Sequence, residues 1–321
     1  MTLGRAERHS LERGQPVVVT LESKRPELAI FSAIQLGPDV APERAAAWMR
    51  RVEDLRRSRH MLASGRFSTP PRQADLDDLV LDEGDLEDIR RCRPGACDVK
   101  LSAREIGELM AITAAATQWR DEVQVAFRQI LLRRVLAYMS GGLAALDATA
   151  DRRSPRPPAA AFASILERST FLQEHMPDLA ERLASCRTAG MPDAETFIYW
   201  SKERLGGKAV ITATHVTLVE GDAAARPYLL SIGVQIFATH YLDASLGVTA
   251  LVRDSQSSQM YLVYIHRAHV DVLEGFWGRF ARPIIEGRVR KDGAAALRQV
   301  RARISGGDPP RAPLRIAAPQ P

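Results

Sequence analysis

The sequence predicts an α+β protein: an antiparallel sheet, a helical block set between its strands, and a long helix closing the chain. Three observations carry this. Residues 195–272 hold successive β-branched or alternating runs, "TFIYWSKERL", "KAVITATHVTLVE", "YLLSIGVQIFATHYLDASLGVTALV" and "QMYLVYIHRAHVDVL", joined by the turn stretches "GGK", "GDAAARP" and "RDSQSSQ". Short turns between strands mean a meander. Residues 103–188 instead carry apolar side chains at helical spacing. "GFWGRFARPIIEGRVRKDGAAALRQVRARI" is a final helix, started or interrupted near Pro283.

The remaining elements follow in order. "PVVVTLE" and "ELAIFSAIQL" read as strands, and "APERAAAWMRRVEDLRRS" as a helix opened by Pro42. "HMLASGRFS" returns to a strand. The acidic, leucine-spaced stretch 69–91 ends in a short helix over 84–91, and "CDVKLS" is a short strand. Ser102 with Glu105 three residues on forms a capping box for the helical block. In its long helix Val125, Ile130, Leu132, Val135 and Leu136 define an apolar face, and "DRRSPRPP" breaks it. The third run of the meander is one bent strand or two, broken near Asp243–Ser245 and Gly247. These elements divide the chain into a disordered segment 1–15, a main domain of 16–102 with 195–304, a helical insertion 103–194, and a disordered Pro-rich tail 305–321.

Composition narrows the function classes. The chain has 321 residues, 45% of them hydrophobic and 26% charged, enough for a sizeable core. The net charge of +5 is a mild basic bias. Basic residues concentrate in 278–303, as a solvated helix face or as a surface for anionic lipid headgroups. Nucleic acid is not expected as a partner, because basic and aromatic residues do not interleave. No 18-residue apolar run reads as a transmembrane helix, and "MTLGRAERHSLERG" lacks the apolar core of a signal peptide. No G-x-x-x-x-G-K-[ST] phosphate loop occurs.

Candidate chemistry lies in two places. In "RRCRPGACDVKLS" the Pro94–Gly95 turn brings Cys92 and Cys97 near one another. Free thiols, a disulfide and half a metal site all stand as readings; an all-cysteine zinc site wants four, usually as two close pairs, and with Cys186 as the third cysteine the second pair is missing. The strands carry His215, His240, His266 and His269. Three converging imidazoles would suit zinc or iron, but structural histidines are the expectation, with no metal and no cofactor. "YWSKE" places Tyr199, Ser201 and Glu203 on one strand face, with Trp200 and Lys202 on the other. Tyr199, Glu203 and His240 are the acid–base candidates. Asp243 and Ser245 near His240 invite a hydrolase triad, but no G-x-S-x-G elbow is present.

The element order, together with "AIFSAIQLGPDVAPERAAAWMRRVEDLRRS" and "YLVYIHRAHVDVLEGFWGRFARPIIEGRVRKDGAAALRQVRARI", resembles the START-like helix-grip (SRPBCC) superfamily over about half the chain. "CRPGACDVKL", "YWSKE" and "FATHYLDASLG" also look like a group of bacterial proteins that carry export leaders. The resemblance implies a curved sheet wrapped around the C-terminal helix and leaving an apolar cavity. Gly206, Gly207, Gly233 and Gly247 are residues such curvature needs. It implies binding of a lipid or other hydrophobic small molecule without turnover, with Ile211, His215, Phe237, His240, Leu246, Tyr264 and His266 as lining. The alternatives are a cyclase, dehydratase or hydrolase working through His, Tyr and Glu, and a structural or interaction protein whose cavity is filled. Export, if it holds, implies a periplasmic location and a Cys92–Cys97 disulfide.

Overall fold

The computed structural model describes residues 3–115, 117–184, 194–221, 228–254, 257 and 259–310. Eight strands form one antiparallel sheet: β1 (Val17–Leu21), β2 (Glu27–Gln35), β3 (Met61–Arg66), β4 (Ala194–Leu205), β5 (Lys208–Glu220), β6 (Leu229–Ala238), β7 (Leu242–Arg253) and β8 (Met260–Val270). Their order is β1-β2-β8-β7-β6-β5-β4-β3. The meander from β4 to β8 is thus the middle of the sheet, and the N-terminal strands dock on its two edges. Register shifts at Met61/Ala63, Ala213/Thr214 and Leu242/Ala244 are bulges, which bend and twist the strands and curve the sheet.

Each face of the sheet is covered by helices. On the near face lie α2 (Pro42–Met49), α3 (Val52–Leu55) and α10 (Gly278–Gly306). There Ile34, Leu36, Leu218, Leu229, Leu251 and Leu262 pack with Trp48, Met49, Leu55, Leu297 and Ile304. On the far face lie α4 (Glu83–Arg91), α5 (Ala103–Ala115), α6 (Trp119–Gly141), α7 (Pro158–Glu167), α8 (Thr170–His175) and α9 (Pro177–Ala184). Here Trp200, Ile211, Ala213, Ile232, Val234, Leu246 and Val248 meet Val123, Phe127, Ile130, Phe162 and Ile165. The expected α+β class, with a curved antiparallel sheet, a long C-terminal helix and a helical insertion, is therefore the observed one. The insertion forms a complete third layer, which is why the meander strands are apolar on their far side.

Several local expectations are corrected. Residues 5–12, expected to be disordered, form α1 (Arg5–Glu12), because Leu11 packs on Val17, Phe31 and Ala33. The stretch 97–102 is not a strand; it makes isolated backbone bonds, Lys100 N–H to Thr239 and Cys97 N–H to Asp151. The buried face of α6 is Val123, Phe127, Ile130, Leu131, Arg134, Val135 and Tyr138, whereas Val125 and Leu136 are exposed. The buried face is rotated from the expected one and includes Arg134, paired with Glu105 (Nε–Oε1 2.7 Å). The third run splits at Thr239–Tyr241, earlier than expected, where Tyr241 takes φ 63°. Ser102 and Glu105 do form the reciprocal cap: Ser102 N–H donates to Glu105 Oε2 at 2.7 Å, and Glu105 N–H to Ser102 Oγ at 3.3 Å. Cys92 and Cys97 are joined by a disulfide, their Cα atoms 4.3 Å apart. Cys186 and the tail beyond 310 lie outside the described residues.

Lys100 joins the layers. Its ammonium is buried within reach of Asp243 Oδ1 (2.5 Å), Asp271 Oδ2 (3.2 Å) and Asp151 Oδ2 (3.4 Å). Burial alone would lower its pKa; the three carboxylates outweigh this and hold it above the ordinary lysine value. Replacing Lys100→Met leaves those carboxylates without their cation and is expected to cost about 3–5 kcal/mol. Urea unfolding at neutral pH measures it, and a change within error would refute the assignment. Removing the Cys92–Cys97 link with serines opens only a short loop and is expected to cost about 2 kcal/mol, read by the same denaturation curves.

Candidate functional site

The alternation of β4 builds the site. Trp200 and Lys202 point to the far layer: the Trp200 indole N–H donates to the Asp75 carbonyl at 2.9 Å, and Lys202 Nζ to the Val80 carbonyl at 2.7 Å. Gly65 on β3 is required there, since a Cβ would sit 2.7 Å from the Trp200 indole nitrogen. Tyr199, Ser201 and Glu203 therefore face the near side, as their spacing predicted. Ser201 Oγ donates to Glu203 Oε1 at 2.9 Å and lies 3.1 Å from Thr212 Oγ1. Arg56, just after α3, donates from Nη1 to the Tyr199 hydroxyl at 2.8 Å, with Nη2 3.5 Å from Glu203 Oε1.

The floor continues across the sheet. β8 contributes Tyr264 and His266, whose rings stack with centroids 5.8 Å apart. Gly247 on β7 lies under the Tyr264 ring, 3.3 Å from where its Cβ would be, and faces Gly233 on β6 in register. Thr212, Thr214, Gly233, Ser245, Gly247, Thr249, Tyr264 and His266 are all only half-buried, although they lie on the inner strands of the sheet. Arg56 keeps 47% of its side chain accessible although Tyr199 and Glu203 lie against it. Accessible side chains on inner strands, away from the sheet edges, mark a hollow on the near side. Farther along, the near side becomes apolar: Ile30 and Ala268 pack with Ile285 and Val289 of α10.

The hollow is polar but close to charge-balanced. Tyr199 and then Glu203 raise the Arg56 pKa above its usual value, so the guanidinium is permanent. Burial pushes the Tyr264 phenol up to about 12, with Arg56 opposing. Burial pushes the His266 imidazole down to about 4, and Arg56 adds to that effect. At neutral pH the lining thus offers an Arg–Glu pair, two phenols, hydroxyls and a neutral imidazole.

Of the expected site residues, the structure brings Tyr199, Glu203, Tyr264 and His266 to this hollow. Ile211, His215, Phe237 and Leu246 face the far layer instead and are buried in its core. The physical reasons are plain: the helical layer covers that side, and the bulge opposite Ala213/Thr214 shifts the alternation of β6 so that Phe237 turns away and packs on Phe127. His215 is buried there, its Nδ1 2.9 Å from the Tyr138 hydroxyl, and burial pushes it down to about 4. His240 also leaves the hollow: its Nδ1 meets the Asp98 carbonyl at 2.8 Å and its Nε2 meets Asp85 Oδ1 at 2.9 Å. Asp243 is held by Lys100 and by Arg156 (Nη1–Oδ2 2.9 Å), so no His240–Asp243–Ser245 triad forms. Sequence reasoning missed Arg56, which reads as an ordinary surface residue of a helix end. The inward Thr and Ser positions were legible in principle, as polar residues alternating with buried apolar ones on β5 and β7.

A crevice between layers, lined by Lys100, Arg134, Arg156, Gln235 and Asp243, is water-sized and occupied by the ion pairs already described. Among the described residues no group of three His, Cys, Asp or Glu could hold a metal ion, and no helix is long and apolar enough to cross a membrane.

No protein-family model matches the chain, and no curated protein does. Among solved structures it is similar to the Zhui aromatase/cyclase from Streptomyces sp. R1128, with 15% identity over 46% of this chain and 87% of that one, TM-score 0.27. It is also similar to Ara h 8.0201, with 10% identity over 47% of this chain and 91% of that one, TM-score 0.20. Likeness at this level carries no argument about activity.

The two depressed imidazoles make a pH prediction. Their folded pKa values, about 4, lie below the unfolded value of 6.5. Their contribution to stability is complete above pH 6.5 and is lost as pH falls toward 4, because the unfolded chain takes up the protons first. In urea titrations across this window, His215→Gln is expected to flatten the loss relative to the parent. Parallel curves for the two proteins would contradict the burial argument.

Proposed function

We propose that the hollow between the sheet and α10 binds a small amphipathic molecule, without turnover. The observation that supports this most is the row of half-buried, side-chain-poor positions on the floor, Gly233 and Gly247 above all, beneath a helix whose inner residues are apolar. The expected wholly apolar cavity is refined by the polar end at Arg56, Tyr199, Ser201 and Glu203. An Arg–Glu pair supplies donors and acceptors without net charge, which suits a hydroxyl or carbonyl rather than a carboxylate. The apolar remainder of the ligand lies against Ile30, Ile285 and Val289. We also propose an anionic membrane surface as a partner through the basic face of α10. Export, as the motif resemblance implies, agrees with the Cys92–Cys97 bond, since disulfides persist in oxidising compartments.

A second reading has one observation in its favour. Glu203, Tyr199, Tyr264 and His266 are acid–base groups converging on one hollow, the set a cyclase or dehydratase acting on a buried carbonyl would use.

Gentle purification followed by native mass spectrometry tests the first reading. A bound amphiphile is expected, and Gly233→Leu, whose Cβ has only ordinary contact with Thr214 at 3.4 Å, is expected to fold normally yet weaken binding by about tenfold or more. Bare protein, together with no uptake of sterols, fatty alcohols or isoprenoids, would sink the proposal. If the bound molecule changes mass on incubation, and Glu203→Gln stops the change, the enzymatic reading replaces it.

A further inference from the structure

The junction of β8 with α10 carries an apolar patch that the pocket does not use. Phe276, Trp277, Phe280 and Ile284 expose 59%, 76%, 54% and 74% of their surface. Scattered exposed apolar residues are ordinary, but four large ones in contiguity are not. The three rings touch one another, with centroids 5.6 to 6.0 Å apart, and the Arg279 guanidinium lies 3.9 Å over Phe276 and 4.7 Å over Phe280.

The backbone is shaped to hold them out. Leu273 is fully buried and anchors the turn. Gly275 adopts φ +62°, and a Cβ on Gly278 would lie 2.0 Å from the Leu273 carbonyl oxygen. The chain therefore doubles back tightly between these glycines, with Phe276 and Trp277 exposed on the turn. Arg25 fixes the turn from the side, donating to the Gly275 carbonyl at 3.2 Å. The neighbouring carboxylate, Glu274, is turned inward to Arg152 and Arg156 (Nη2–Oε2 2.9 Å to Arg156), so its charge is compensated.

The charge around the patch selects the occupant. α10 carries eight Arg and Lys residues against Glu286 and Asp292; Arg282, Arg301 and Arg303 turn inward to backbone carbonyls, and Arg279, Arg288, Arg290, Lys291 and Arg298 are exposed. A second copy seated symmetrically on this face would bring two such helices together, and their like charges would repel. An anionic bilayer has the opposite requirement: aromatic rings at the headgroup level and arginines against the phosphates.

We propose that Phe276, Trp277, Phe280 and Ile284 form a membrane anchor, entering the interface of an anionic bilayer while the basic face of α10 lies on its headgroups. This rests on the membrane-surface reading of α10 and names the residues that convert adsorption into insertion.

The test is cosedimentation of the full chain with phosphatidylcholine vesicles, with and without phosphatidylglycerol. Binding is expected only with phosphatidylglycerol, and brominated acyl chains should quench fluorescence that Trp277→Leu removes. The triple variant Phe276→Ser, Trp277→Ser, Phe280→Ser is expected to lose at least about tenfold in partitioning. Its substituted positions are exposed, so its unfolding curve should match the parent. Arg279→Glu should weaken binding in low salt. If the triple variant binds as the parent does, the anchor is wrong although electrostatic adsorption stands. If the parent ignores anionic vesicles, both fall. If the parent is a dimer in sedimentation and the triple variant a monomer, the patch is a self-association surface and the proposal is overturned.

Discussion

A single buried ammonium holds the three layers together. Lys100 comes from the irregular stretch after the Cys92–Cys97 turn, yet its partners come from elsewhere: Asp151 from the loop before α7, Asp243 from the start of β7, Asp271 from the turn leading to α10. Arg152 and Arg156 extend the network to Glu274. A buried cation of this kind is costly to desolvate, so it persists only where several carboxylates converge in fixed geometry. That requirement sets where the helical layer sits on the sheet, and it sets where α10 begins. The roof of the hollow therefore inherits its position from a charge cluster on the other side of the sheet. The disulfide has the smaller task of shaping the turn that delivers Lys100.

The hollow follows from what each face of the meander must do. The far sides of β4 to β7 carry large apolar groups because α6 and α7 lie on them. The near sides carry glycine, serine and threonine over the hollow, and leucines only at one end, where Leu218, Leu229 and Leu251 pack with α2, α3 and α10. A sheet whose two faces differ this much is wedge-shaped in cross-section: tight on one side, open on the other. Arg56 then occupies the polar end, and its pairing with Glu203 and Tyr199 keeps that end from demanding an anion. Burial acts on the remaining groups in the same sense, keeping Tyr264 a phenol and His266 an uncharged imidazole.

Much of this was legible in the sequence because it is periodic. The alternation of "YWSKE" assigned Tyr199, Ser201 and Glu203 to one side, and Ser102 with Glu105 announced a helix start. What was not legible depended on partners distant in sequence. Nothing in "CDVKLS" says that its lysine outranks its strand propensity. The parity of His215 and Phe237 was readable, but which face is covered depends on the insertion, and the β6 bulge reverses parity midway. Arg56 looked like its surface neighbours Arg57 and Arg59, and only the return of the chain through β4 encloses it.

The strand order has a consequence for how the molecule comes into being. β4 to β8 are neighbours in both sequence and space, so the meander can form from local pairings as soon as it exists. β2 cannot: it pairs with β8, Glu27 opposite His269, across nearly the whole chain. During synthesis the first hairpin, β1 with β2, emerges with an open apolar edge and nothing to close against until the last strand has left the ribosome. The N-terminal tenth of the chain must therefore wait in an unfinished state, its strand edge unpaired and open to chaperones. A protein wired in this way closes its sheet only when its synthesis is almost complete.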